Sequence, residues 1–236
     1  MTVTARIVLA RHGESRWNVD DRYQGHADSG LTPAGHAQAE ALAPRLAELV
    51  GAAPVRLVSS DLERARHTAA PFAAATGLEV AVDARLREVA TGSWTGQTFA
   101  EVAAREPDVV AAAARGEDVR RGGGETFTEV RERVWAAIAE IAAEIAAEIA
   151  ADPTAGLGAD RTDRDRSGPP TAVLFTHGGA VRVAAAAACG VPAPGHAAFT
   201  PPVNCSLTIV DVVDGRARLT AYGLPGVRDA HAARAE

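Results

Sequence analysis

Arg11-His12-Gly13 directly follows the apolar run Ile7-Val8-Leu9-Ala10, and His177-Gly178-Gly179 directly follows Val173-Leu174-Phe175-Thr176. Each arrangement puts an imidazole where a buried strand ends, the edge at which open α/β sheets carry their chemistry. Beside His12, a guanidinium adds a fixed positive charge whose planar fork suits oxyanions. A helix opening through Gly178-Gly179 would turn its free amides toward the same crevice as the His177 ring. Two further segments, Ser59-Ser60-Asp61-Leu62-Glu63-Arg64 and Leu86-Arg87-Glu88, supply a second arginine and a carboxylate.

Composition narrows the chemistry. All 24 basic residues of the 236 are arginine; the chain contains no lysine. That excludes a Walker-type phosphate loop, a kinase strand lysine, and Schiff-base or pyridoxal chemistry. Any phosphate must be held by arginine, histidine and backbone amides. The formal charge of −6 and the absence of a basic tract point away from nucleic acid and from an anionic membrane surface. With no signal-like segment and no long apolar span, a soluble cytoplasmic protein is expected. Cys189 and Cys205 lie in apolar contexts without metal-type spacing and read as packing residues.

These groups must be positioned by strands and helices. Short apolar runs at 6–10, 55–59, 79–82, 172–176 and 206–212 alternate with helical patterns. The pattern predicts a single α/β domain over 1–236, a three-layer α/β/α sandwich with a mainly parallel central sheet. Thr32-Pro33 starts a helix over 34–50, threonine capping and proline preset for the first turn. A second helix is expected to start at Asp61 as its cap, with Leu62, Ala65, Ala69 and Phe72 facing inward and Arg64 in its first turn. Asp214-Gly215 reads as a hairpin turn that leaves one antiparallel strand at the sheet edge. Ile141, Ile145 and Ile149 stack at four-residue spacing, the pattern of a long amphipathic helix against the sheet rather than a coiled coil. Residues 152–170 read as a mobile surface loop and 225–236 as a disordered tail.

Arg11-His12-Gly13 continues as Glu14-Ser15-Arg16-Trp17-Asn18, then Gln24-Gly25, then Leu31-Thr32-Pro33-Ala34-Gly35. Taken with Ser59 through Arg64, Leu86-Arg87-Glu88 and Thr176-His177-Gly178-Gly179, the chain resembles the histidine phosphatase superfamily, the phosphoglycerate mutase-like enzymes, over roughly residues 5 to 223. The resemblance implies that His12 attacks phosphorus to form a phosphohistidine, that Arg11 and Arg64 hold the phosphoryl group, and that His177 is a second phosphate ligand. Glu88 falls where the family protonates the departing oxygen; a carboxyl beside a bound dianion holds its proton, as a general acid requires. Ser15, Asn18, Gln24, Gly25 and Gly178 match positions that bind the substrate. No cofactor and no metal are implied. A neutral imidazole is required for attack, and nearby cations such as Arg11 and Arg64 lower its pKa from about 6.5.

Some residues admit a plainer reading. Arg87 offers Glu88 a surface ion pair. Glu125 matches a recurrent Gly-Glu element, yet capping a helix from Thr126 explains it equally well. His26, His36, His67, His196 and His231 read as surface or satisfied core, and Trp17, Trp94 and Trp135 as packing anchors. The segment from Val89 to Gly96 lacks the Arg-His-Tyr-Gly type element that follows the matching glutamate in cofactor-dependent mutases. Hydrolysis is therefore expected: a metal-independent phosphatase acting on small-molecule phosphomonoesters, a sugar phosphate or a phosphoglycerate derivative such as glucosyl-3-phosphoglycerate. A mutase is the alternative, and a catalytically dead phosphate-binding module the third. An exposed edge or helix face would allow a homodimer.

Overall fold

The computed structural model describes residues 3–53, 55–151 and 168–226. Its elements in order are β1 (Val3–Arg11), α1 (Arg16–Val19), α2 (Pro33–Val50), β2 (Val55–Ser59), α3 (Glu63–Thr76) and β3 (Val80–Val82), then α4 (Phe99–Arg105), α5 (Pro107–Ala114) and α6 (Phe127–Ala151), and finally β4 (Thr171–Thr176), α7 (Gly178–Ala188), β5 (Leu207–Val213) and β6 (Arg216–Leu224). The strands form one sheet in the order β3-β2-β4-β1-β5-β6. The first four are parallel; β5 runs against β1, and β6 turns back against β5 through the Asp214-Gly215 hairpin. The expected antiparallel edge is thus present.

Alternation along the strands divides the core between two faces. On one, Val8, Ala10, Leu57, Val173 and Phe175 pack on Leu42 and Leu46 of α2 and Ala65, Ala69 and Phe72 of α3. On the other, Ile7, Leu9, Val58, Ala172 and Leu174 pack on Val130, Val134, Ile138, Ile141 and Ile145 of α6 and on Val181 and Ala184 of α7. Each Leu, Ile or Phe so buried contributes about 1.5–3 kcal/mol relative to exposure. Ile141 and Ile145 are buried as the four-residue stripe requires, while Ile149 is partly exposed near the end of α6.

The caps explain the boundaries. Thr32 Oγ1 accepts from the Gly35 amide at 2.9 Å, and Pro33 opens α2. For α3 the cap differs from expectation: Leu62 occupies the N-cap position without a side-chain bond. Asp28, more than thirty residues away, accepts from the Glu63 amide at 2.8 Å. Asp61 turns outward to Arg87, where Arg87 Nε donates to it at 2.7 Å. A distant carboxylate has displaced the adjacent one, which sequence spacing does not reveal.

Among the described residues no helix is long and apolar enough to cross a membrane. The loop expected over 152–170 lies outside the described residues except for 168–170, as does the tail expected over 225–236 except for 225–226; His231 is also outside them. Cys205 is buried as expected, but Cys189 is exposed at the end of α7 and packs no core.

Candidate active site

Strand register builds the site. Arg11 of β1 pairs with Thr176 of β4, so the next residue on each strand, His12 and His177, emerge side by side. The His12 amide donates to the Thr176 carbonyl at 2.9 Å, and the two rings lie 5.2 Å apart between centroids, inclined at 56°. β2 ends in register with them, its Ser60 amide donating to the Phe175 carbonyl at 2.9 Å. β1 leads to α2 on one face and β4 leads to α7 on the other, so their carboxyl ends open a crevice where connections diverge.

In that crevice lies a cavity of about 260 Å³ whose wall includes Arg11, His12, Asn18, Gln24, Gly25, Arg64, Glu88 and Gly178. Four of the five expected catalytic residues therefore share one cavity. The fifth, His177, sits behind the wall in ring contact with His12.

His12 Nδ1 lies 2.7 Å from the Gly13 carbonyl, which assigns the proton to Nδ1 and leaves the Nε2 lone pair free. Its pKa is held well below 6.5, first by burial, then by Arg64 and Arg11, against a smaller opposing pull from the Gly13 carbonyl. The ring is therefore neutral at rest, with burial a larger cause than the cations. His177 is lowered the same way, by burial and then by Arg64, His12 and Arg11, and its Nε2 lies 2.9 Å from Ser60 Oγ.

Arg64 is fully buried. Its Nη1 donates to Asp28 Oδ1 and to the Ala27 carbonyl, both at 2.7 Å, and its Nη2 donates to the Gly25 carbonyl at 2.8 Å. Gly25 reaches that position with φ of +53°, and a side chain there would strike Thr91 Oγ1 at 2.5 Å. Arg11 is braced through Nη1 by the Pro202 carbonyl. Burial lowers the pKa of both arginines, yet a guanidinium remains charged in a protein. Among the described residues four buried side-chain nitrogens find no protein partner. Three of them, Arg11 Nε, Arg64 Nε and His177 Nδ1, belong to this group, and the fourth is His196 Nδ1.

The Glu88 carboxylate accepts from the Gly179 amide at 3.1 Å and from the Val89 amide at 2.8 Å. A side chain at Gly179 would meet Glu88 Oε1 at 2.1 Å, so glycine there is a condition of the carboxylate's approach to α7. Arg87 does not pair with Glu88; its partner is Asp61. Glu125 does not cap α6, which is closed by the Thr126–Glu129 box and by Asp118, whose oxygens accept from the Phe127 and Thr128 amides. Instead, Glu125 accepts from Arg133 Nε and Nη2 at 2.8 Å and from the Ala90 amide at 2.9 Å, while Arg133 and His26 hold the Glu88 carbonyl at 2.8 and 2.9 Å. Burial alone would raise the Glu125 pKa, but His26, Arg133 and the Ala90 amide outweigh it and hold the group well below the usual carboxylate range.

Ser15 departs from the expected contact with substrate. It is fully buried, absent from the cavity wall, and its Oγ lies 2.9 Å from Gln24 Oε1 and 3.0 Å from Asn18 Oδ1. Asn18 Oδ1 also accepts from the Ser15 amide at 3.1 Å and from Asn204 Nδ2 at 3.2 Å. Both carbonyl oxygens thus have partners within the fold, and Asn18 and Gln24 line the cavity. Asn204, Asp28, Ser60 and Arg133 are supporting residues that sequence reasoning did not single out. Among the other histidines, His36 and His67 are exposed, whereas His196 is buried and stacks on Phe127 at 3.9 Å. Trp94 is fully buried as an anchor, its Nε1 donating to Glu106 at 2.9 Å.

Residues 7–151 match the family model of the histidine phosphatase superfamily (branch 1). A glucosyl-3-phosphoglycerate phosphatase of Mycobacterium tuberculosis (strain CDC 1551 / Oshkosh) is 36% identical over 203 residues, 86% of this chain and 83% of that protein. The solved structure of a mycobacterial glucosyl-3-phosphoglycerate phosphatase in complex with VO3 superposes with a TM-score of 0.76 at 34% identity, covering 93% of this chain and 99% of the other. A probable phosphoglycerate mutase of Escherichia fergusonii is 36% identical over 135 residues, 57% of this chain and 61% of that protein.

Proposed function

The chain belongs to the histidine phosphatase superfamily (branch 1) and is a phosphatase, and on that premise we propose that it works through a phosphohistidine formed on His12, without a metal ion. The carrying observation is the pair of unpartnered buried donors, Arg11 Nε and Arg64 Nε, with the unpartnered His177 Nδ1 beside them, around a neutral imidazole proposed as the nucleophile. Buried donors without acceptors cost free energy, and a phosphoryl group carrying about −1.5 to −2 charges would satisfy them.

In the first step His12 Nε2 attacks phosphorus and the ester P–O bond breaks. Glu88 gives a proton to the leaving oxygen. Arg11 and Arg64 strengthen their hold as charge spreads over the equatorial oxygens. In the second step water attacks the phosphohistidine, its proton passes to the Glu88 carboxylate, the P–N bond breaks, and inorganic phosphate leaves. Asn18 and Gln24 orient the phosphoryl oxygens, Gly25 and Gly178 shape their seat, and Ser15 acts through the two amides it holds.

The substrate is a small-molecule phosphomonoester met in a soluble cytoplasmic setting. The names of the similar phosphatases support a phosphoglycerate derivative such as glucosyl-3-phosphoglycerate, a compound with a carboxylate besides its phosphate ester. The segment from Val89 to Gly96 adds no further cation to retain a bisphosphate, which favours hydrolysis over mutase action.

Hydrolysis of p-nitrophenyl phosphate in excess chelator tests this reading, with rapid acid-free quenching to trap labelled enzyme. Turnover with an acid-labile, base-stable phosphoenzyme is expected. Turnover that stops in chelator and returns with a divalent metal overturns the metal-free route; turnover without labelled enzyme at any quench time overturns the covalent one.

A further inference from the structure

Glu88 stands in a stretch, residues 87–91, that belongs to no helix or strand. Such a stretch has no ladder of its own to hold it in place, yet four consecutive carbonyls, from Arg85 to Glu88, are each held by a side chain from elsewhere in the fold. Three of the four go to one guanidinium. Arg133 Nη1 donates to the Arg85 and Arg87 carbonyls, both at 2.7 Å, and Nη2 donates to the Glu88 carbonyl at 2.8 Å. The Leu86 carbonyl between them accepts from Thr176 Oγ1 at 2.6 Å, one residue before His177.

The remaining donors of Arg133 reach Glu125: Nε bonds its Oε1 and Nη2 its Oε2, both at 2.8 Å. These bonds use all five hydrogens of the guanidinium. Glu125 in turn takes Ala90 at both backbone groups, its Oε2 accepting from the Ala90 amide and its own amide donating to the Ala90 carbonyl, each at 2.9 Å. The ion pair keeps 18% and 23% of its side-chain surface exposed, so it is mostly out of water. An arginine needed only to balance Glu125 would satisfy the carboxylate and stop there; here the backbone is fastened on both sides of residue 88. The Glu88 carboxylate itself meets only the Gly179 and Val89 amides, so its place in the cavity wall is set by the main chain that carries it.

We propose that Arg133, braced by Glu125, is a positioning residue that fixes the main chain of Glu88 for delivery of a proton to the leaving oxygen, through its five directed bonds rather than its charge alone. The inference rests on the reading of Glu88 as proton donor given above. As the bond from His12 Nε2 to phosphorus forms and the ester P–O bond breaks, the leaving oxygen takes the Glu88 proton; a carboxyl displaced by loss of the clamp leaves that oxygen to depart as an anion.

The test compares kcat/KM for p-nitrophenyl phosphate and phenyl phosphate, alike in shape and in phosphoryl charge. The nitro group lets its phenolate leave without a proton, whereas phenol, like tyrosine, gives up its proton only at about pH 10. Because kcat/KM covers the steps through P–O cleavage, the later attack of water does not enter. Arg133→Lys keeps a positive charge opposite Glu125 but offers three donors in place of five. It is expected to lower kcat/KM for phenyl phosphate about tenfold more than for p-nitrophenyl phosphate, and Glu88→Gln to show the same selective loss, larger still. Taking the ratio within one preparation cancels any unfolded fraction, and a role confined to stability moves both esters equally. Losses of equal size on the two esters from Arg133→Lys, zero included, beside a selective loss from Glu88→Gln overturn the positioning role and leave Glu88 as donor. Equal losses from both variants, or wild-type turnover of p-nitrophenyl phosphate alone, remove the donor reading and this inference with it.

Discussion

Two concave regions of this molecule are lined with arginine and acid, and the larger is the poorer candidate. The hollow beside β3 encloses about 380 Å³ against about 260 Å³ for the crevice between β1 and β4. In the hollow every arginine is answered: Arg56 pairs with Glu144 and Glu148, and Arg85 with Asp83 and Glu140. In the crevice Arg64 has one carboxylate, Asp28, and Arg11 none within ion-pair distance among the described residues, while both keep a buried Nε without a partner. Volume therefore does not select the site. Buried donors left over after the fold has satisfied its own needs do, because their cost persists until a ligand arrives.

The sharpest way to break this contrast is to remove the proposed nucleophile. His12→Ala should lower turnover of p-nitrophenyl phosphate at least about 10⁴-fold, the scale seen when a covalent nucleophile is lost, while circular dichroism and melting stay close to wild type. The truncation removes an imidazole that is already neutral, so it leaves no unpaired charge behind. Residual activity within about tenfold of wild type would show that the crevice works by another group and would dissolve its distinction from the hollow.

A finer test concerns why His12 stays neutral. In the ligand-free enzyme the His12 ring should show no titration near pH 6.5 by NMR, remaining neutral well below it. The sign follows from linkage: the folded pKa lies below the unfolded one, so this group contributes stability that is fully present above about pH 6.5 and lost as pH falls toward the folded value. Burial is the first cause and Arg64 the second, so Arg64→Met should move the midpoint upward only part of the way. A full return to about 6.5 would make the cations, rather than the dry crevice, the controlling cause.

The crevice was legible in the sequence to the extent that its groups sit at strand ends. An apolar run locates the end of β1 or β4, and the residue after it must emerge at the carboxyl edge, which is how His12 and His177 were found. Glu88 and Arg64 follow the same logic less directly, through loops that match the family pattern. What escaped depends on pairings across the chain. Asp28 caps α3 from a separate loop, Asn204 reaches the His12 carbonyl from 192 positions away, and Ser15 turns inward to Asn18 and Gln24. No local propensity encodes these contacts, since each partner is a polar loop residue whose direction is set only when the sheet assembles. The caps show the same limit: Thr32 serves its own helix as its spacing predicts, whereas Asp61, equally well placed in sequence, is drawn away by Arg87.

The smallest effect belongs to the hollow and completes the contrast from its other side. Arg56 keeps 31% of its side-chain surface exposed, and its partners Glu144 and Glu148 keep 52% and 67%. Such pairs form in high dielectric and are screened by salt, so Arg56→Ala should cost about 0–1 kcal/mol of stability, a loss that shrinks further at high ionic strength. Turnover of p-nitrophenyl phosphate should not change, because no atom of this cluster lines the crevice. Denaturant melts at low and high salt beside a kcat/KM measurement decide it. A loss of several kcal/mol, or a fall in activity, would mean that the paired arginine of β2 acts on the fold or the reaction as strongly as the crevice arginines are proposed to act on the phosphoryl group.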